Sequence, residues 1–239
     1  MQFLLLLIIT NQFVYIFFKI YDHHSTDTIL IYNNMYTLLI LSVALCTFGI
    51  DFQNNITLSQ FTCLRNEQGK EFVIMRAYRS FGALDPSINT NLASAKQAGF
   101  KNIDIYMFPC FKCGNPKGQV DTMLEGVKQS YGMVWIDIET YEWGTDLVKN
   151  QEFILELVSE LKAKNKSIGI YSALYNWRAI VGESWAGVNM YPLWYAHYDN
   201  VKSFSDFKPF GGWTKPSIKQ YSPDVQNVMC GFGVDQDFY

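Results

Sequence analysis

From residue 49 onward the chain alternates short apolar runs with amphipathic ones, and this alternation restricts its possible folds more than any other feature. Strands are expected at 49–52, 72–78, 102–108, 133–139 and 167–172, with helices at 58–66, 87–98, 118–130 and 150–164 between them. The last helix carries Phe153, Ile154, Leu157, Val158 and Leu161 on one stripe, opposite its Glu and Lys residues. Asp85-Pro86-Ser87 and Gly99 supply the start and stop of the second helix. After residue 185 the helical periods fade, and strands are expected at 193–198, 217–221 and 232–237. Repeated βα units imply a parallel sheet with right-handed crossovers. So many strands in so short a stretch imply a single-domain α/β barrel, closed on itself and lacking some helices. Its active site belongs at the C-terminal ends of the strands.

The segment before this pattern has a different character. Two apolar runs, Phe3–Ile20 and Tyr36–Phe48, precede the first βα unit. The second follows Met35 directly and ends in the small residues of Ala44-Leu45-Cys46, as the core of a secretory signal does. The expected organisation is an upstream extension at 1–34, a signal peptide at 35–46 and a catalytic domain at 47–239. The competing reading makes the first run a membrane anchor.

Cleavage after residue 46 leaves four of the five cysteines: Cys63, Cys110, Cys113 and Cys230. An even number in a secreted chain reads as two disulfides, with three possible pairings. Cys110-Phe-Lys-Cys113 is a lone CxxC, whereas a Cys₄ zinc site would show two. It lies between Pro109 and Gly114-Asn115-Pro116, a loop and not the helix start that a thioredoxin-like centre needs. His197 is the only histidine after residue 46, and no GxSxG elbow accompanies it, so a multi-histidine metal site is excluded. A formal charge of −3, with no basic stripe and no glycine-rich phosphate loop, argues against nucleic-acid partners and nucleotide cofactors. The chemistry falls to carboxylates, with neither metal nor cofactor.

Side chains alternate along a strand, so in Met133–Glu139 the residues Trp135, Asp137 and Glu139 share one face and Val134, Ile136 and Ile138 the other. The apolar set suits the helical layer, which turns the two acids toward the barrel axis. Their α-carbons should stand ~6.5 Å apart. At that separation one carboxyl holds a proton while the other gives it up, the division that glycoside hydrolysis uses. Asp51 ends the first strand and Asp235 lies in the last, and these are neighbours once a barrel closes. Asp104 sits deeper on its strand and reads as a structural acid. Tyr106, Tyr171, Trp194, Tyr195, Tyr198 and Tyr221 fall near strand ends, where rings stack on pyranoses and phenols reach sugar oxygens. With 15 Tyr in the chain, half of these are expected to be core.

Five motifs together, Gly49-Ile-Asp-Phe-Gln, Trp135-Ile-Asp-Ile-Glu139, Pro192-Leu-Trp-Tyr-Ala196, Lys219-Gln-Tyr221 and Gly233-Val-Asp235, resemble the lysozymes of glycoside hydrolase family 25, in that family's order and across roughly 49–239. The resemblance implies a flattened, TIM-like (β/α)5β3 barrel. It also implies cleavage of the β-1,4 bond from N-acetylmuramic acid to N-acetylglucosamine in bacterial peptidoglycan, with retention. Glu139 matches the proposed general acid, Asp137 the second catalytic acid, and Asp51 and Asp235 the flanking pair. Tyr106 and Tyr171 match positions that line the cleft, and Arg76, Trp194 and Tyr198 complete the expected substrate contacts. Arg76 and Met107 depart from the lysine and histidine of many bacterial members. Asp137 is expected either to attack or to orient the substrate's own acetamido group as nucleophile. The four cysteines look like those of eukaryotic members. Barrel closure brings Cys63, in the helix after the first strand, beside Cys230, just before the last, so the expected bridges are Cys63–Cys230 and Cys110–Cys113. A monomer in a secreted, lysosomal or phagosomal setting is expected, with no membrane partner after signal cleavage. The alternatives are a chitinase-like N-acetylhexosaminide hydrolase and a carbohydrate-binding protein without turnover.

Mass spectrometry of secreted protein should recover peptides from residue 47 onward and none from 1–34. Abundant peptides from 1–34 would contradict the expected start at Met35.

Overall fold

A computed structural model describes residues 46–223 and 230–239 in full and, of residues 1–45, only the backbone of three strands. These strands, β1 (Gln2–Thr10), β2 (Phe13–Asp22) and β3 (Ser25–Asn33), pair antiparallel in the order β1-β2-β3. The chain divides into one compact unit of residues 1–45, to which these strands belong, and a second of residues 46–239. The expected signal core at 36–45 lies outside the described residues. Among the described residues no helix is long and apolar enough to cross a membrane.

In the second unit, β4 (Phe48–Phe52) leads through α1 (Leu58–Asn66) to β5 (Phe72–Arg79) and the short β6 (Ala83–Leu84). Then follow α2 (Ile88–Gln97), β7 (Asn102–Met107), α3 (Pro116–Gly126), β8 (Met133–Ile138), α4 (Leu147–Ala163) and β9 (Ser167–Ser172). The chain continues through α5 (Leu174–Ile180), β10 (Leu193–Ala196), β11 (Ile218–Ser222) and β12 (Asp235–Phe238). The sheet runs β4-β12-β11-β10-β9-β8-β7-β5-β6, and β4 pairs again with β5. That second pairing closes an eight-stranded barrel, with β6 as a hairpin appended to β5. Within the barrel, neighbouring strands are parallel from β4 round to β11, and β12 runs antiparallel to both its neighbours. Five βα units followed by three strands is the architecture that the motif resemblance implied. The α/β barrel matches the expectation, while α5 and β6 were not evident in the hydropathy pattern.

Local chemistry accounts for the elements. Thr57 caps α1 in a reciprocal box with Gln60, and Asp146 caps α4 by accepting from the amides of Val148 and Lys149. At α2 the expected cap is redistributed. The Ser87 side chain makes no capping bond, and Asp85 accepts its amide at 3.0 Å and its hydroxyl at 2.6 Å. Gly99, at φ +95°, ends α2 in a left-handed turn, as expected.

The core divides along strand parity. Val134, Ile136 and Ile138 join α-helical residues such as Ile154, Leu157 and Leu161 in the layer outside the barrel. Phe72, Ile74, Tyr106, Trp135, Tyr171, Trp194 and Ile218 fill the inside. Two inward positions carry glycine because large rings occupy their space. A Cβ on Gly169 would lie 2.3 Å from the Trp135 ring, and one on Gly49 2.4 Å from Phe72. Gly169→Val should therefore overpack the barrel interior and destabilise the fold by about 1–3 kcal/mol. Calorimetry should show a Tm lowered by roughly 3–10 °C; an unchanged Tm would mean that the Trp135 ring has room to move.

Candidate active site

Above the apolar floor, at the C-terminal ends of the strands, lies a cleft lined by Asp51, Tyr106, Phe108, Asp137, Glu139, Tyr171, Trp194, Tyr198, Gln220 and Asp235. Strand register accounts for this convergence. Asp137 stands beside Tyr171 on β9, and antiparallel pairing of β12 with β4 sets Asp235 directly opposite Asp51. Glu139, just past the end of β8, continues its inward alternation. All four acids expected from the sequence thus meet in one cleft, with three of the expected aromatic contacts, Tyr106, Tyr171 and Trp194, also in the barrel floor. Tyr198 stands half in solvent at the rim.

Burial governs the ionisation of this group. Asp137 is 4% exposed, and one of its oxygens, Oδ1, has no hydrogen-bond partner among the described residues. Burial first, and then the charge of Glu139, pushes the Asp137 carboxyl well above the ordinary carboxylate range, against the pull of Arg76. Burial also raises Glu139, an effect offset in part by hydrogen bonding to Asp137. Across the cleft, burial and the charges of Asp237 and Asp235 raise Asp51 strongly. Asp237, fully buried one turn of the pleat below Asp235, is pushed up to about 7, chiefly by burial, even though Trp194 Nε1 donates to it at 2.8 Å. Such carboxyls share protons, so the Asp137–Glu139 pair titrates as a unit.

Two residues of this network were not anticipated. Gln220 on β11 donates to Asp51 at 2.7 Å and to Asp235 at 3.0 Å, and accepts from Tyr171 at 2.6 Å and Tyr198 at 2.8 Å. Asp237 holds the Trp194 indole from beneath. Strand parity identifies both: Gln220 alternates with inward Ile218, and Asp237 with inward Asp235.

Other expected residues lie elsewhere. Arg76 is absent from the cleft lining, because Asp85 accepts from its Nε at 2.8 Å and Gln53 holds its remaining nitrogens. Asp85 also receives Arg79. Burial opposes its ionisation, but its bonds from Ser87, Arg79 and Arg76 keep its carboxyl below the ordinary range. Arg76 thus reaches the acids through its field. Tyr195 packs in the outer layer and donates to Asp206 at 2.9 Å, and Tyr221 donates to Gln236, whose strand parity is outward. Asp104 accepts from the Met133 amide and the Trp135 indole, a structural role as expected. His197, Asp199 and Asp206 converge away from the cleft, but the buried Lys219 ammonium already lies 2.9 Å from both carboxylates. The bridges are Cys63–Cys230 and Cys110–Cys113.

Residues 42–221 match the family model described as Lysozyme-like protein 1. Probable GH family 25 lysozyme 2 of Dictyostelium discoideum is 43% identical over 203 residues, covering 84% of this chain and 94% of that protein. Lysozyme-like protein 5 of Caenorhabditis elegans is 41% identical over 195 residues, covering 80% and 90%. The family GH25 lysozyme structure from Aspergillus fumigatus superposes with a TM-score of 0.67 at 22% identity, over 81% of this chain and 93% of that one, a likeness of fold. Matching that family model over residues 42–221 and these relatives at 43% and 41% identity along most of their length, the chain belongs to the glycoside hydrolase family 25 lysozymes.

Proposed function

We propose that this glycoside hydrolase cleaves the glycan of bacterial peptidoglycan at N-acetylmuramic acid, with Glu139 as proton donor and Asp137 as the anion beside the reacting carbon. The observation that carries the reading is the side-by-side burial of Asp137 and Glu139 in a cleft whose far wall presents Asp51 and Asp235. Two adjacent carboxyls with raised pKa values retain one proton between them at mildly acid pH. In the empty cleft the more deeply buried Asp137 is the better holder. A substrate acetamido N–H placed against Asp137 reverses this preference, because a donor favours the carboxylate. The shared proton then moves to Glu139, where it can pass to the leaving oxygen as the glycosidic bond breaks. The acetamido carbonyl is positioned to attack the anomeric carbon from the opposite side, and Asp137 stabilises the resulting oxazolinium-like cation. Water then opens that intermediate with Glu139 as base, and the configuration is retained. Arg76, Asp51 and Asp235 set the field in which the proton moves.

The two disulfides support residence in an oxidising compartment, either outside the cell or in a lysosomal or phagosomal lumen. The reading treats the protein as a monomer, since all four acids come from one chain.

Glu139→Gln, nearly isosteric, should keep the fold and lower reducing-end release from peptidoglycan by at least ~10²-fold. Asp137→Asn should impair it severely as well. A Glu139→Gln protein near wild-type rate would refute the assignment, and faster turnover of chitin oligosaccharides than of peptidoglycan would point to the chitinase-like alternative. Activity should fall as pH rises through the upper titration of the pair, which lies above the ordinary carboxylate value near 4.

Stability should show the opposite side of the same burial. A carboxyl whose pKa is raised on folding stabilises the fold most when protonated, below its unfolded pKa, and that contribution is lost as pH climbs toward the folded pKa. Glu139→Gln removes this loss, so its Tm should exceed wild type more at pH 7 than at pH 4. A Tm difference that does not vary with pH would mean that Glu139 is ionised without penalty.

A further inference from the structure

The side-chain amide of Gln220, itself 2% exposed, has a partner at every hydrogen-bonding position. Its two N–H groups point to Asp51 and Asp235, and its oxygen receives the hydroxyls of Tyr171 and Tyr198. This orientation matches the chemistry of all four partners. Burial keeps a proton on Asp51, but that proton is directed to Asp237, so a carbonyl oxygen turned toward Asp51 and Asp235 would meet lone pairs. A phenol has one proton, and the short bonds to Gln220 take those of Tyr171 and Tyr198 in preference to the 3.4 Å contact between the two hydroxyls, in which either could donate. Toward the cleft both therefore present lone pairs.

Tyr106 is differently placed. Its ring lies edge-on to Trp194, at 6.4 Å between centroids, and lines the same cleft. Its hydroxyl makes no hydrogen bond to any described residue. Burial, reinforced by the charges of Asp51 and Asp137, keeps that hydroxyl protonated.

We propose that Gln220 is a positioning residue that fixes the hydrogen-bond polarity of the cleft, so that Tyr171 and Tyr198 accept from substrate and Tyr106 is the phenol that donates. Sugar hydroxyls can satisfy either role. An amide carbonyl can only accept, and it is the strongest neutral acceptor on an N-acetylated aminosugar. Tyr106 thereby reads the N-acetyl group, and glycans that have lost it forfeit this contact. The inference rests on the glycan-cleaving reading of the cleft and adds a specificity to it.

The test is binding, measured by calorimetry in the Glu139→Gln background so that turnover does not intervene. The probes are soluble peptidoglycan glycan fragments, N-acetylated and chemically de-N-acetylated. Tyr106→Phe should weaken the N-acetylated fragment about tenfold, the loss of one hydrogen bond to a well-matched group. It should leave the de-N-acetylated fragment within about twofold, whereas Tyr171→Phe should weaken both to the same degree. Equal losses for Tyr106→Phe on the two fragments, or no loss on either, would overturn the assignment. If the parent protein binds neither fragment, the glycan reading itself fails, and this inference with it. Gln220→Glu, isosteric and checked for folding by its Tm, puts a third carboxyl beside Asp51 and Asp235. Its affinity for both fragments should fall at least tenfold more than the parent's between pH 5 and pH 7. A pH profile matching the parent's would mean that Gln220 only fills space.

Discussion

The antiparallel strand β12, inserted between β4 and β11, is the contact on which the site depends. Without it the sheet would be an open parallel array, with Asp51 on an edge and no opposing wall. With it Asp235 pairs directly across from Asp51, and Asp237 is carried inward against the Trp194 indole. The backbone bonds between Thr47 and Tyr239 hold the far end of the same strand pair, and the Cys63–Cys230 bridge ties α1 to the approach to β12. Closure therefore gathers acids from the two ends of the domain around the pair delivered by β8.

That gathering opposes stability. Asp51, Asp137, Glu139 and Asp237 are all raised by burial, and Asp137 keeps an oxygen without a partner among the described residues. A sequence selected only to fold would place amides or apolar residues there. The offset comes from the rest of the barrel: an aromatic floor packed into the space left by Gly49 and Gly169, and Gln220, whose amide satisfies two acids at once. The penalty is also what makes the chemistry available, because carboxyls that resist ionisation can still hold a proton in mildly acid surroundings.

Much of this was legible in the sequence because strands have a strict period of two. Parity placed Trp135, Asp137 and Glu139 on one face and turned Val134, Ile136 and Ile138 to the helices. Closure of the sheet then brought Asp51 to Asp235. The same rule accounts for the aromatics that went elsewhere. Tyr195 follows inward Trp194, and Tyr221 follows inward Gln220, so both must face out. Arg76 has the inward parity, yet it is drawn to Asp85, a residue of the β6–α2 connection whose position no local pattern reveals. Helix α5 is hidden because it is short and only two of its apolar residues, Trp177 and Ile180, are buried, too few to set a period. The direction of the Gln220 amide is a property of four partners from four strands or loops and has no local signature.

In the proposed reaction the bond cut lies on the reducing side of N-acetylmuramic acid, and Glu139 protonates its leaving oxygen. The most direct measurement is to digest purified peptidoglycan with protein beginning near residue 47, reduce the fragments with borodeuteride and identify the labelled sugar by mass spectrometry. Deuterium is expected on muramitol, with no labelled ends above background from the Glu139→Gln protein. Deuterium on glucosaminitol, or equal labelling by the variant, would contradict it.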